Sequence, residues 1–247
     1  MKQRLDKALV DRKLAPTRTR AQERIATGQV TVDGVLITRS SFPIGPDHRI
    51  ELHGEDLPYV SRGGLKLAAA LDAWHIDLNG RICLDIGIST GGFTDCMLQR
   101  GAAHVLGIDS GHSQLAAALQ QHPRLQMLEG TNARYLDASL LPANISFIAV
   151  DVSFIAASLV LPAVLTAAFP APAQSPREAV ILIKPQYEAG REFVGKNGIV
   201  RDPAAHQLAI DRVKDTVTAY GGQKIAVIDS PIPGGEGNRE FLLYARF

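Results

Sequence analysis

From Gly80 to the end of the chain, short aliphatic runs alternate with stretches whose apolar residues recur every three or four positions. Arg81-Ile82-Cys83-Leu84 predicts the end of a buried strand, Ala103 to Asp109 a second and Arg124 to Leu128 a short third. Asn144 to Val152 predicts a fourth and Ala179 to Lys184 an almost wholly aliphatic fifth; Gln223 to Ile228 and Glu240 to Phe247 bring the count to seven. Phe93 to Arg100 has helical spacing, with Phe93, Cys96 and Met97 on one side. Ser113 to Gln120, the alanine-rich run after Val152 and Ala204 to Tyr220 predict further helices. Upstream, Gly63-Gly64 opens a helix with Leu65, Leu67, Ala68, Leu71 and Trp74 on an apolar face. Residues 185–203 read as a long polar loop, and loops of that length are usually functional or mobile. Aliphatic strands alternating with helices predict an α/β fold built on a doubly wound, mostly parallel seven-stranded sheet.

The first 55 residues follow a different rhythm and predict a small α+β domain. Leu5, Ala8 and Leu9 mark one short helix. Thr19 is the expected cap of a second, with Gln22 closing the capping box, Ala21 and Ile25 facing inward and Gly28 ending it. Val30 to Ile37 is two alternating runs joined by Asp33-Gly34, a hairpin signal, and Arg49 to Leu52 predicts a further strand. Residues 56–62 read as a linker and 63–247 as the second, larger domain.

The whole-chain numbers exclude little: 247 residues, 46% hydrophobic, 21% charged and a net charge of +1 are ordinary for a globular protein. The distribution of charge says more. Residues 1–30 hold eight Lys/Arg against three acids, the footprint of a phosphate-binding face. Cys83 and Cys96 sit at apolar positions and read as core residues of a reducing compartment. Residues 2–13 are mostly charged, so no secretory segment is expected. The uncharged stretch Ile155 to Ala173 is broken by Pro162, Pro170 and Pro172, which favours a buried helix over a membrane span. A cytoplasmic protein is expected. The histidines are scattered without ligand spacing, so no metal is expected.

The chain's chemistry centres on Asp85-Ile86-Gly87-Ile88-Ser89-Thr90-Gly91-Gly92-Phe93-Thr94-Asp95. A strand, a glycine-rich turn and a helix form a cradle in which backbone N–H groups face a ligand. An acid at the strand end would repel a diphosphate, and the turn departs from G-x-G-x-x-G. We therefore read it as a cradle for S-adenosylmethionine, with Asp85, Gly87, Ser89, Gly91, Gly92 and Phe93 as its residues. Asp109, ending the second strand, is placed to accept both hydroxyls of a ribose, and Asn132 to read an adenine edge. Asp151 and Lys184 end two neighbouring strands, and charges closing such apolar runs are costly unless paired. A lysine there would serve as a base only if desolvation and a nearby cation lowered its pKa from roughly 10.4. Lys66 in an apolar helix start and Glu240 at the last strand complete the polar set.

Two resemblances extend this reading. Arg4-Leu5-Asp6, Thr19-Arg20-Ala21-Gln22 and Ile25 to Gly34 resemble the RNA-binding domain named after ribosomal protein S-four, which implies that Lys7, Arg18, Arg20 and Arg24 touch RNA phosphates. Val60 to Lys66, Asp85 to Asp95, Asp151 to Ile155, Leu182 to Arg191, Gly198 to Pro203 and Gly237 to Phe241 resemble the TlyA family. These are FtsJ-like ribosomal RNA methyltransferases, historically also labelled haemolysins. That resemblance implies a Rossmann-like methyltransferase fold and a tetrad of Lys66, Asp151, Lys184 and Glu240 that methylates a ribose 2′-hydroxyl, usually of cytidine in rRNA. Lys184 would deprotonate or orient the hydroxyl, Asp151 and Glu240 would position the lysines, and Lys66 would bind near the target ribose or phosphate. Arg62 and Arg191 would join the RNA contacts, with the 185–203 segment closing over the RNA. Gly130 stands where a basic residue is expected, and Asp109-Ser110-Gly111-His112 where the family tends to have Asp-Val-Gly-Tyr. A membrane-lytic haemolysin and a non-catalytic ribosome-binding factor are the rival readings; the lack of an export signal opposes the first and the intact tetrad the second.

Overall fold

The computed structural model describes residues 2–26, 28–54, 57–170, 176–234 and 237–247, apart from the Glu23 side chain; Asp56 of the expected linker and Pro172 of the proline-rich stretch lie outside them. The chain divides into two compact units, Met1–Arg62 and Gly63–Phe247.

In the first unit, β1 (Gln3–Arg4) leads into helix α1 (Leu5–Asp11) and pairs antiparallel with β4 (Pro43–Ile44), and α2 spans Arg18–Ala26. Strands β2 (Val30–Val32), β3 (Val35–Leu36) and β5 (Ile50–Leu52) form an antiparallel sheet in the order β3-β2-β5. Asp33 and Gly34 both take positive φ, 50° and 79°, as the two-residue hairpin turn requires. Leu5, Ala8, Leu9, Ala21, Ile25, Val30, Val32 and Ile44 make the core. The second helix starts two residues earlier than the capping-box reading requires. The N–H of Arg20 donates to Thr17 Oγ1 at 3.2 Å, so Thr17 supplies the cap rather than Thr19. Gln22 instead donates to the buried Asp6 at 2.7 Å, because a fully desolvated carboxylate outbids a helix terminus for a donor.

The second unit runs α3 (Gly63–Ala73), β6 (Ile82–Ile86), α4 (Gly92–Gln99), β7 (His104–Ile108), β8 (Leu125–Leu128), β9 (Ile145–Val150), α5 (Ala157–Ala168), β10 (Glu178–Ile183), α6 (Pro185–Glu188), α7 (Pro203–Ala219), β11 (Gln223–Asp229) and β12 (Phe241–Arg246). Its seven strands lie in the order β11-β12-β10-β9-β6-β7-β8. Every pairing is parallel except those of β12, which runs antiparallel to both β10 and β11. Helix α5 buries Ala157, Val160, Leu161, Val164, Leu165 and Ala168, one stripe at three- and four-residue spacing, into the core cluster on the sheet. Among the described residues no helix is long and apolar enough to cross a membrane.

Three expectations change. Ser113 to Gln120 forms turns rather than a helix: Ser113 sits at φ 55°, outside helical space, and its N–H is taken by Glu129 at 2.7 Å. Residues 185–203 are not one polar loop. They fold into α6 and two 3-10 turns, Arg191–Phe193 and Lys196–Gly198, with Pro185, Glu188, Ala189 and Val200 buried. In α3 the buried face is Gly64, Lys66, Leu67, Ala70 and Leu71; Leu65 and Ala68 are only partly covered, because Lys66 turns inward to a carboxylate.

Candidate active site

Register alone aligns the chemistry. Ile86 pairs with Ile108 on one side and with Val150 on the other, so the next residues, Gly87, Asp109 and Asp151, stand in one row at the carboxyl ends of β6, β7 and β9. Gly87 has φ 86°, and a Cβ there would lie 2.3 Å from the carbonyl oxygen of Asp151, so only glycine lets the ends of β6 and β9 close together. Beyond the row lies a cavity of about 350 Å³, whose wall includes Gly87, Ser89, Asp109, Gln114, Asn132 and Asp151. Asp109 is held from both sides: Oδ2 accepts the N–H of Ser89 at 2.8 Å and Oδ1 that of Gly111 at 2.7 Å. Each oxygen keeps a second lone pair for a hydroxyl ligand. Asn132 Oδ1 accepts the N–H of Arg134 at 3.0 Å, which fixes its orientation.

The other residues of the glycine-rich turn stand behind this wall. Asp85 is fully buried: Oδ2 accepts the Thr94 hydroxyl at 2.6 Å, while Oδ1 has no hydrogen-bond partner among the described residues. Burial pushes its carboxyl up to about 7, and the nearby Asp151 and Asp109 push the same way. Asp85 thus faces the first turn of α4 rather than the cavity. A Cβ on Gly91 would meet Leu119 at 2.4 Å, so Leu115 and Leu119 roof this part of the turn; Gly92 and Phe93 are buried in α4. The two departures from the family pattern meet in space. Gly130 has φ 63°, and a Cβ there would lie 2.7 Å from the exposed ring of His112, so a larger residue at 130 needs a left-handed backbone and a shift of that ring.

A second cavity of about 380 Å³ adjoins the first, sharing Ser153 and Phe154 with it, and is lined further by Lys184, Asn238 and Glu240. Here too the register assembles the residues. Ile183 pairs with Phe241, so one step further Lys184 comes beside Glu240. The Lys184 amine lies 2.7 Å from Asp151 Oδ1 and donates to Ser153 Oγ at 2.7 Å. Lys66 Nζ lies 2.5 Å from Glu240 Oε2, both nearly buried. The four residues thus form two ion pairs, one from neighbouring parallel strands and one joining α3 to the entry of β12. Two placements differ from expectation. Lys184 lines the second cavity and meets the one holding Gly87 and Asp109 only through Asp151 and Ser153, because it lies two residues further along its strand. Lys66 lines neither cavity and touches the second only through its contact with Glu240.

Two site residues went unread in the sequence. Ser153 and Phe154 stand two and three residues after Asp151, and a hydroxyl and an aromatic just past a strand end are the available signal. Phe154 is 91% exposed at φ 66°, an unusual conformation for a bulky side chain, and its ring lies 5.8 Å from that of Tyr187.

The basic residues of the first unit separate into two groups. Lys7 and Arg18 are exposed, and Arg18 and Arg4 both hydrogen-bond the buried Asp6, at 2.9 and 3.0 Å. These bonds hold the Asp6 carboxyl far below the usual carboxylate range. Arg20 donates to the carbonyl of Leu57 at 2.8 Å. Arg24 is buried, contrary to its expected role on phosphate, because it falls on the inward stripe of α2 with Ala21 and Ile25. Arg62 is half-buried and Arg191 exposed. Cys83 and Cys96 are free thiols in the core, and burial pushes that of Cys83 up to about 12. Among the described residues no group of His, Cys, Asp and Glu is arranged to hold a metal ion.

Comparison with known proteins adds the following. Residues 59–247 match the FtsJ-like methyltransferase family and residues 3–50 the S4 domain. YqxC of Bacillus subtilis, described as a candidate rRNA methyltransferase, is 43% identical over 98% of this chain and 85% of its own length. The 16S/23S rRNA (cytidine-2′-O)-methyltransferase TlyA of Mycobacterium tuberculosis is 38% identical over 98% of this chain and 89% of its own. A solved structure of a candidate hemolysin from Streptococcus thermophilus is 38% identical and superposes with a TM-score of 0.76, covering 99% of this chain and 88% of that one.

Proposed function

Because the chain belongs to the TlyA family of FtsJ-like methyltransferases, we propose that it transfers a methyl group from S-adenosylmethionine to the ribose 2′-hydroxyl of a cytidine in ribosomal RNA, acting in the cytoplasm on ribosomal subunits. The first cavity suits the donor. Its volume falls in the range of small-molecule sites, roughly 300–1,000 Å³, and Gly87 keeps its floor free of side chain. Asp109 would accept the ribose hydroxyls, and Asn132 would address the adenine. When bound, S-adenosylmethionine supplies an electrophilic methyl group on a good leaving group.

The second cavity is assigned to the acceptor ribose. Lys184 stands at the boundary of the two, its amine fixed by Asp151 and Ser153, where it would orient the 2′-hydroxyl and, once it has given up a proton of its own, take the hydroxyl proton as the new O–C bond forms and the methyl–sulfur bond breaks. Glu240, held by Lys66, forms a further wall of the acceptor cavity. Phe154 presents a bare aromatic face where both cavities meet and would stack on the target base. Most of the acceleration would come from alignment, since fixing two reactants in line is worth on the order of 7–11 kcal/mol.

One observation carries the reading: the 2.7 Å Lys184–Asp151 pair at the seam of two adjoining cavities. Purified protein with tritiated S-adenosylmethionine should label rRNA or ribosomal subunits at ribose, and Lys184→Ala should lower the rate at least about 100-fold. Full transfer by Lys184→Ala would remove Lys184 from the chemistry.

A further inference from the structure

Asn238 stands two residues before Glu240 and is buried, at 3% exposure. Its amide is committed to a segment 40 residues back in the chain: Nδ2 donates to the carbonyl of Gly198 at 2.9 Å, and Oδ1 accepts the N–H of Val200 at 3.0 Å. The turn it grips is closed on itself by the Gly195 N–H, which donates to the Ile199 carbonyl at 3.0 Å. From below, His206 Nε2 lies 3.0 Å from the Val200 carbonyl. On the other side, the Asn238 carbonyl accepts the N–H of Gly234 at 2.9 Å, and the Glu240 carbonyl that of Ser230 at 2.9 Å. The same turn contributes Gly198, and Val194 just before it, to the wall of the second cavity, which Asn238 and Glu240 also line. It carries Lys196 and Arg201 on its exposed side.

We propose that Asn238 is a positioning residue for the methyl acceptor: its amide latches the 195–200 turn to the entry of β12 and so sets the spacing between that turn and Glu240 across the acceptor cavity. The proposal rests on the transfer reaction above. The chemistry calls for an amide. The turn offers one carbonyl and one N–H, and only a side chain with a donor and an acceptor on one planar group satisfies both. An aspartate would keep the bond from Val200 and lose the one to Gly198. An alanine would lose both, leaving the buried Val200 N–H and the part-buried Gly198 carbonyl without this partner. The Lys66–Glu240 pair depends on the same strand entry, so slack at Asn238 shifts the wall of the acceptor cavity while leaving the row of Gly87, Asp109 and Asp151 in place.

The test uses the full-length native protein, Asn238→Ala and Asn238→Asp. Melting curves establish that each is folded, calorimetry measures S-adenosylhomocysteine affinity, and tritium transfer to ribosomal subunits gives kcat and KM. Expected for Asn238→Ala are an S-adenosylhomocysteine Kd within about twofold of native and a kcat lowered on the order of 10–100-fold, the scale at which a 1 Å misplacement is felt. Asn238→Asp should fall between that variant and the native protein. A folded Asn238→Ala with kcat within twofold of native overturns the proposal. A parallel loss of kcat and S-adenosylhomocysteine affinity also overturns it, since that pattern reports a general structural role. If Asn238→Ala does not fold, the near-isosteric Asn238→Asp decides alone, and native kcat in it overturns the latch. A native protein that transfers to no RNA removes the functional reading and the latch together, whereas an active native protein with unaffected variants removes the latch only.

Discussion

Asp85 shows how a single residue resists reading from its motif. At the end of a strand before a glycine-rich turn, an acid suggests a ligand contact, yet here it lies fully buried under Thr94. Its pKa in the folded chain is about 7, against 3.8 ordinarily, chiefly through burial. The unfolded chain therefore releases this proton at lower pH than the folded one. The group's contribution to stability is fully present below about pH 4 and is lost as pH rises through 7. Asp85→Asn should accordingly gain stability relative to native between pH 5 and 8, by at most on the order of 4 kcal/mol. Denaturant melts at several pH values check this; parallel curves for native and variant would show that Asp85 does not titrate in this range. Asp6 works in the opposite sense. Held ionised by Arg4, Gln22 and Arg18, it stabilises the first unit above its ordinary pKa, and that contribution is lost as the pH falls well below it.

The elements bring the chemistry together through register, and the tightest point is the approach of β6 to β9. An alanine at Gly87 would place its Cβ 2.3 Å from the Asp151 carbonyl and would also face a left-handed φ. Gly87→Ala should therefore push the 151–154 segment outward and weaken S-adenosylhomocysteine binding by more than about tenfold, read by calorimetry, with the far-ultraviolet spectrum unchanged. Native affinity in that variant would mean that the cradle does not depend on this contact. The sequence predicts all seven strands of the larger unit because their aliphatic runs carry their own signal. It fails at Ser113 to Gln120, where helical spacing exists but a left-handed Ser113 and the Glu129 carboxylate hold the segment in turns. It fails again at 185–203, whose polar composition hides a folded strap clamped by Asn238.

At the scale of the whole molecule, a basic first unit accompanies a methyltransferase-like second one. Lys7 and Arg18 remain outward, whereas Arg24 is largely covered. On the proposed function, Lys7→Ala or Arg18→Ala should weaken binding to rRNA and lower the slope of log affinity against log salt by a little under one for each lost phosphate contact. S-adenosylhomocysteine affinity should stay unchanged. Filter binding across salt concentrations checks this, and an unaltered slope would take these residues off the phosphate backbone.

By itself the sequence determined the strand and helix periodicity, the hairpin at Asp33-Gly34 and the types of residue that close the strands, because these are local properties of spacing and backbone preference. Only the tertiary structure decided which of those residues share a space. Lys184 faces Asp151 and Ser153 because β9 and β10 run parallel in a fixed register. Lys66 faces Glu240 because α3 carries it inward beside the entry of β12. A charge is stable in such places only with its partner already there, and partners 33 and 174 residues apart meet only once the sheet has formed.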